Sequence, residues 1–185
     1  IDCLAAIGDD PSPTRSQDYM LHLYAMHLLA AWRDRRAYLP MVRLGRHSDN
    51  VVEEMMGDVV TETYGRALAS VCDGDMRPLE ALAEDVNASY WARGAALNAM
   101  VVCALEGEAD RTALIAYLSR LGDSEAARLR DARVAPGEFE LIDSIVSNAT
   151  DLGAVSMLPA IRQWFADTLL DESIAGERWV AIHIA

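Results

Sequence analysis

Apolar positions along this chain recur at helical spacing, in blocks separated by glycine, proline and short charged runs. The first long block is DYMLHLYAMHLLAAWRDRR, apolar from Tyr19 to Trp32 except at His22 and His27, and closing on Arg33, Arg35 and Arg36. It predicts a helix from about Tyr19 to Arg35, capped by Asp18. Its terminal arginines stand where cations complement the helix dipole. A helix apolar nearly all round is expected to be buried on most sides. Ala37 to Arg46 (AYLPMVRLGR) reads as a partner helix, with Pro40 in its first turn where proline is tolerated.

The same arrangement recurs. Asp58 or Thr61 opens a helix that runs through Leu68 to Cys72 and stops at Gly74, read as a C′ glycine. Pro78 to Glu84 is its partner. Ser89 opens YWARGAALNAMVVCALEG, which stops at Gly107; Asp110 caps RTALIAYLSRL, expected to end near Gly122. Asp123 to Pro136 either extends that helix or forms a long connection. Glu138 opens FELIDSIVSNATDLG, which stops at Gly153, and MLPAIRQWFADTLL is its partner. VAIHI, Val180 to Ile184, is left unassigned. Ile1 to Ser16 breaks at Gly8, Pro11 and Pro13, giving a short apolar piece and a linker. Landmarks of the second helices (YLPMVRL, RPLEALAE, ALIAYLSRL, MLPAIRQWF) fall roughly 35 to 45 residues apart, the period of HEAT or armadillo-type repeats.

These elements imply an all-α fold: a HEAT-like right-handed α-α superhelix, or solenoid, of about four helical pairs. The expected organisation is one helical-repeat domain over 1–185, with 1–17 as cap or linker, 18–174 as repeats and 175–185 as tail. One pair cannot bury its own apolar face, so stacking supplies the core. Ile1 to Ile7 and Ile161 to Ile184 are then the candidate end caps, and self-association is open.

Three strings are specific beyond periodicity. YMLHLYAMHLLAAWRDRRAY, GDVVTETYGRALASVCDGD and YWARGAALNAMVV resemble the bacterial domain of unknown function 1186 family, over about Asp18 to Ile174. The resemblance implies HEAT-type helical repeats and no agreed activity. Some members of that family carry a cysteine-rich metal-binding tail; this sequence shows none, so the resemblance brings no metal.

Composition narrows the function. Of 185 residues, 52% are hydrophobic, enough for a sizeable core. The formal charge is −13, which disfavours nucleic acid and anionic membrane as general partners. All 16 basic residues are arginine, and five of them (Arg33, Arg35, Arg36, Arg43, Arg46) fall between Arg33 and His47 against one acid, Asp34. No apolar run reaches the roughly 20 residues of a membrane span. Cys3, Cys72 and Cys103 are odd in number and widely spaced, so neither a disulfide framework nor a zinc site is expected. Cys72 and Cys103 read as buried thiols, and a cytoplasmic location is expected. The chain starts at Ile1, so a truncated or processed fragment is one expectation.

Candidate chemistry is sparse. His22 and His27 are five residues apart, about 140° around a helix, whereas helical zinc pairs need a spacing of four. Two separately satisfied histidines are expected, and no cofactor. His22, Met26, Leu29, Arg33 and Arg36 share one sector of an extended first helix. With Arg43 and Arg46 they would form a basic groove with an apolar floor, suited to carboxylates or phosphates. Alternatively the arginines cap helix ends and pair with acids of the next repeat. Asp58, Asp73 and Asp75 read as turn and capping residues. Glu53, Glu54 and Glu62 have no nucleophile beside them, and no hydrolase elbow, P-loop or dinucleotide fingerprint is present. Trp32, Trp91, Trp164 and Trp179 are read as core packing, an exposed one being a partner hot spot instead. The expectation is a non-enzymatic protein–protein interaction scaffold with an unidentified partner, an acidic segment being one candidate. The tentative site is His22, Arg33, Arg36, Arg43 and Arg46. Phosphate or nucleic-acid binding through the Arg33–Arg46 cluster, or an enzyme with an unrecognised pocket, are the alternatives.

Overall fold

Helical spacing of the apolar residues is realised throughout. The computed structural model describes residues 1–16, 18–132, 141–173 and 175–184, and every regular element among them is helical. The chain divides into two compact units, Ile1–Cys103 and Ala104–Ala185.

The first unit contains α1 (Asp2–Asp9), a 3-10 turn (Ser12–Arg15), α2 (Leu21–Ala31), a second 3-10 turn (Arg35–Ala37), α3 (Tyr38–Leu44), α4 (Asp49–Met56), α5 (Val59–Glu62), α6 (Tyr64–Val71), α7 (Arg77–Glu84) and most of α8 (Tyr90–Leu105). Its centre is α3, short but with Tyr38, Met41, Val42 and Leu44 all buried, packed against α1, α6 and α7. Leu4 and Ile7 of α1 and Tyr64 and Leu68 of α6 complete this core. Tyr64 is fully enclosed, and its hydroxyl donates to the Met41 carbonyl (2.7 Å), so the one polar atom it buries is satisfied. Asp49 caps α8 from outside that helix. Its Oδ1 accepts from the Ser89 hydroxyl (2.7 Å) and the Tyr90 N–H (2.9 Å), putting a carboxylate at the positive end of the helix dipole.

The second unit contains α9 (Arg111–Ala132), α10 (Leu141–Asp151), a 3-10 turn (Val155–Met157), α11 (Leu158–Ala166) and α12 (Glu177–His183). Asp110 caps α9 as expected, accepting from Thr112 N (2.8 Å) and Ala113 N (3.1 Å). α10 packs on α9 and α12, with Ile142, Ile145, Val146, Ile161 and Trp164 buried. Arg130 joins α9 to the end of α11 through Asp167 (2.6 Å), and Arg111 donates to the Leu152 and Gly153 carbonyls at the end of α10.

One connection recurs in both units: a helix, a left-handed residue, a 3-10 turn and a proline-bearing helix. After α10, Gly153 (φ 60°) donates to Thr150 O and Ala154 to Ala149 O, the paired bonds of a Schellman ending. After α2 the same bonds run from Arg33 to Ala30 O and from Asp34 to Leu29 O, with Arg33 at φ 51°. Pro40 and Pro159 lie in the first turns that follow, and Pro78 opens α7 likewise.

Several boundaries differ from expectation for local reasons. The first long helix stops at Ala31, four residues short of Arg35, because Arg33 is left-handed; its N-cap is Met20, with no side-chain cap from Asp18. The helix expected from Asp58 to Cys72 is divided into α5 and α6 at Thr63, and α4 precedes them where none was assigned. Gly74 does take a positive φ (100°), but in the loop beyond α6 rather than at its end. Gly122 does not stop α9, which runs on to Ala132. An added Cβ there would lie 2.3 Å from Trp164 Cη2, so this glycine serves close packing. The unassigned C-terminal piece is α12, and the linker after α1 holds the first 3-10 turn. Glu138 lies outside the described residues.

Candidate functional site

α2 is apolar on all sides, yet it buries only one. His22, Met26 and Leu29 face the core, and the helix has α1 and α6 as its main helical neighbours. Two neighbours leave the far side in water. Leu21, Tyr24, Leu28 and Trp32 are 55%, 66%, 50% and 70% exposed. At about 100° per residue these four fall within a sector of roughly 80°, turned away from the buried one. Burial on most sides was the expectation. The outcome is a continuous exposed apolar stripe, the kind of surface that marks an interaction site.

The stripe ends at the arginines. Arg33 follows Trp32, and Asp34 caps the 3-10 turn by accepting from Arg36 N (3.1 Å). The same carboxylate takes Arg36 Nε (2.9 Å) and Nη2 (2.6 Å), a bidentate clamp that holds Asp34 below the usual carboxylate range. Asp75 and Arg77 repeat this clamp at the start of α7 (Nε 2.8 Å, Nη2 2.6 Å). Arg35 is exposed, and no ion pair involving it is found among the described residues.

The residues singled out in the sequence do not share one face. His22 is 2% exposed; its Nε2–H donates to the Met55 carbonyl (2.7 Å) and its ring stacks on Tyr19. Its Nδ1 is buried without a partner. His27 lies outside, Nδ1–H donating to Leu23 O (2.8 Å) and Nε2 accepting from Thr63 Oγ1 (3.0 Å). The two histidines are thus held separately. Because α2 ends at Ala31, Arg33 and Arg36 do not continue the His22–Met26–Leu29 sector, which is core rather than a groove floor. Arg33 and Arg36 precede α3, whereas Arg43 and Arg46 lie at its far end, about 10 Å along a seven-residue helix. Arg43 faces α1 and approaches Asp9 (3.8 Å), both side chains exposed. The arginine partners seen here are local or on α1.

Trp164 is core (2% exposed), as expected of the tryptophans, but Trp32, Trp91 and Trp179 are exposed. Trp179 stacks on His183, and Trp91 meets Tyr90 edge on.

A second cluster lies inside the first unit. Cys72 follows the last turn of α6 and Cys103 comes from α8; both are buried thiols. Cys103, the Gly74 N–H and the Tyr38 hydroxyl are the neighbours that act on the Cys72 thiol. That hydroxyl also donates to the Asp75 carbonyl (2.8 Å). These neighbours, Cys103 first, hold the Cys72 thiol well below its ordinary value despite burial and the nearby Asp73. Burial pushes the Tyr38 phenol up, so it stays a proton donor. Burial of both thiols was legible in their apolar surroundings. Their nearness was not, since 30 intervening residues hide it.

Among the described residues no group of three or more His, Cys, Asp and Glu is placed to hold a metal, and no helix is long and apolar enough to cross a membrane. The class defined is an all-helical protein with an exposed apolar helix face and two neighbouring buried thiols. Comparison gives the family: residues 12–182 match the model described as "Protein of unknown function (DUF1186)", and the chain belongs to that family. It is 30% identical over 155 residues to an uncharacterized protein of Chlamydia muridarum (strain MoPn / Nigg), covering 84% of this chain and 59% of the relative. It is 34% identical over 103 residues to an uncharacterized protein of Chlamydia trachomatis serovar D (strain ATCC VR-885 / DSM 19411 / UW-3/Cx), covering 56% of this chain and 41% of the relative. The chain therefore spans less than two thirds of the length of these relatives. No solved structure matches it significantly.

Proposed function

We propose that this chain is a non-enzymatic protein-interaction module, a HEAT-like solenoid in architecture, that receives an acidic amphipathic helix on the outer face of α2. The observation that carries this reading is the stripe of Leu21, Tyr24, Leu28 and Trp32. Their spacing matches the i, i+3, i+7 rhythm of helix-in-groove recognition. Tyr24 and Trp32 leave on the order of 250 Å² of ring surface in water, about 6 kcal/mol at ~25 cal/mol/Å² before the costs of association. Arg35, exposed just beyond the end of the stripe, supplies the complement for acidic side chains, which is why the partner is given negative charge. The recurring helix, turn and proline-bearing helix supports the repeat architecture. A cytoplasmic site of action belongs to the same reading, on the odd number and wide spacing of the cysteines.

The test uses a library of helical peptides varied in charge, selected on the chain and measured by fluorescence anisotropy. Acidic amphipathic sequences are expected to be enriched. Each aromatic truncation is expected to cost about 1–2 kcal/mol, so Tyr24→Ala with Trp32→Ala should weaken binding by at least tenfold while leaving thermal unfolding unchanged. Enrichment of basic or unstructured peptides, or binding indifferent to both substitutions, would defeat the proposal.

A further inference from the structure

We propose that the α2 stripe pairs with the same stripe of a second copy of the chain, antiparallel about a two-fold axis, so that the face stays covered until a partner helix displaces the copy. This is regulation of the face assigned above and rests on that reading of it. Register and charge carry the argument. Leu21 and Trp32, the two ends of the stripe, stand equally far from the midpoint between Met26 and His27. A two-fold axis through that midpoint sets Trp32 of each copy against Leu21 of the other. Tyr24 and Leu28 fall one residue out of level, about 1.5 Å, so they interleave instead of colliding. The flanking charges obey the same axis. Asp18 stands three residues before Leu21, and Arg35 three residues after Trp32. Both are exposed, and neither has an ion pair within its own chain among the described residues. Parallel pairing would put Asp18 beside Asp18 and Arg35 beside Arg35; the antiparallel arrangement answers each charge with its opposite. Arg36 does not compete, because Asp34 holds it (2.6 Å).

The size of the face sets the strength. Leu21, Tyr24, Leu28 and Trp32 together offer about 450 Å² of apolar side-chain surface per copy. Two copies then bury about 900 Å² between the stripes, the size of a weak, reversible association rather than an obligate dimer. The formal charge of −13 on each copy adds repulsion and weakens the dimer further. Dissociation is therefore expected in the micromolar range, within reach of a competing helix. An isologous contact also closes on itself, so the stripe is covered without open-ended assembly.

The intact chain is followed by sedimentation equilibrium over a concentration series reaching a few hundred micromolar. A monomer–dimer equilibrium is expected. Asp18→Arg sets like charges against each other at both ends of the interface and should weaken the dimer about tenfold. Arg35→Asp should do the same, and the double exchange should restore the dimer to within about threefold of the parent. Trp32→Ala should leave only monomer, with circular dichroism unchanged because the ring is exposed. Acidic helical peptides selected on the chain should displace the second copy, leaving one chain per peptide. Asp18→Arg spares Arg35, so it should release the dimer and tighten peptide binding. A strict monomer, a dimer indifferent to Trp32→Ala, a double exchange that restores nothing, or a peptide that binds without displacing the copy overturns the proposal. Peptide binding by a chain that never dimerises does so while leaving the reading of the face intact. A charge-sensitive dimer to which no peptide binds defeats that reading and leaves the pairing standing.

Discussion

Replacing Gly122 with alanine sets two known effects against each other at one atom. In the interior of α9, alanine is the better helix former by about 1 kcal/mol. Against this, the new methyl would lie 2.3 Å from Trp164 Cη2 and 2.9 Å from Cζ2. That is more than ~1 Å inside ordinary carbon–carbon contact. Trp164 is enclosed, so its ring cannot swing into solvent. Overpacking of this kind costs about 1–3 kcal/mol, and the upper end applies because a rigid indole rather than a flexible chain end is struck. The expected result is a net loss of about 1–2 kcal/mol. Urea unfolding read by far-ultraviolet circular dichroism measures it as a lowered midpoint at constant slope. A companion variant isolates the cause. In Trp164→Phe the ring is smaller, and Gly122→Ala in that background should be neutral or stabilising by up to ~1 kcal/mol. If Gly122→Ala stabilises the parent chain, or if the two substitutions show no coupling, the glycine is not there for the indole and the packing argument fails.

Two other positions follow from backbone geometry and one from titration. Thr168 (φ 57°) and Arg33 (φ 51°) are left-handed residues at helix ends, and Thr168 is β-branched. Thr168→Gly should raise stability by about 1 kcal/mol and Arg33→Gly by less; a loss at both in thermal unfolding would mean that solution relaxes these turns. Asp167 is held below the usual carboxylate range by Arg130 first and Gln163 second. Its folded value is depressed, so the stability it adds is complete above the unfolded value of about 3.9 and is lost as pH falls through the folded one. Carboxyl NMR should place its titration below that of an exposed aspartate, with Arg130→Ala moving it up. Ordinary titration in the intact chain would mean that this ion pair is absent in solution.

Much of the architecture was legible because helices are local objects. Apolar spacing, Asp110 as a cap, Gly107 and Gly153 past helix ends, and the early prolines act within a turn or two of themselves, and all are found in place. Breaks that depend on a single unusual residue were not legible. Nothing in the letter of Arg33 announces a left-handed backbone, and its position hid the early end of α2 and with it the loss of the proposed arginine sector. Gly122 shows the converse, a glycine that looks like a stop and is a contact.

By itself, the sequence determined an all-helical chain, its family, and the absence of any familiar catalytic signature. Tertiary structure alone decided which side of α2 stays in water and which thiols are neighbours. The reason is one of range. Helix formation is settled by residues three or four apart, whereas the exposure of Trp32 and the nearness of Cys72 to Cys103 depend on where distant helices pack.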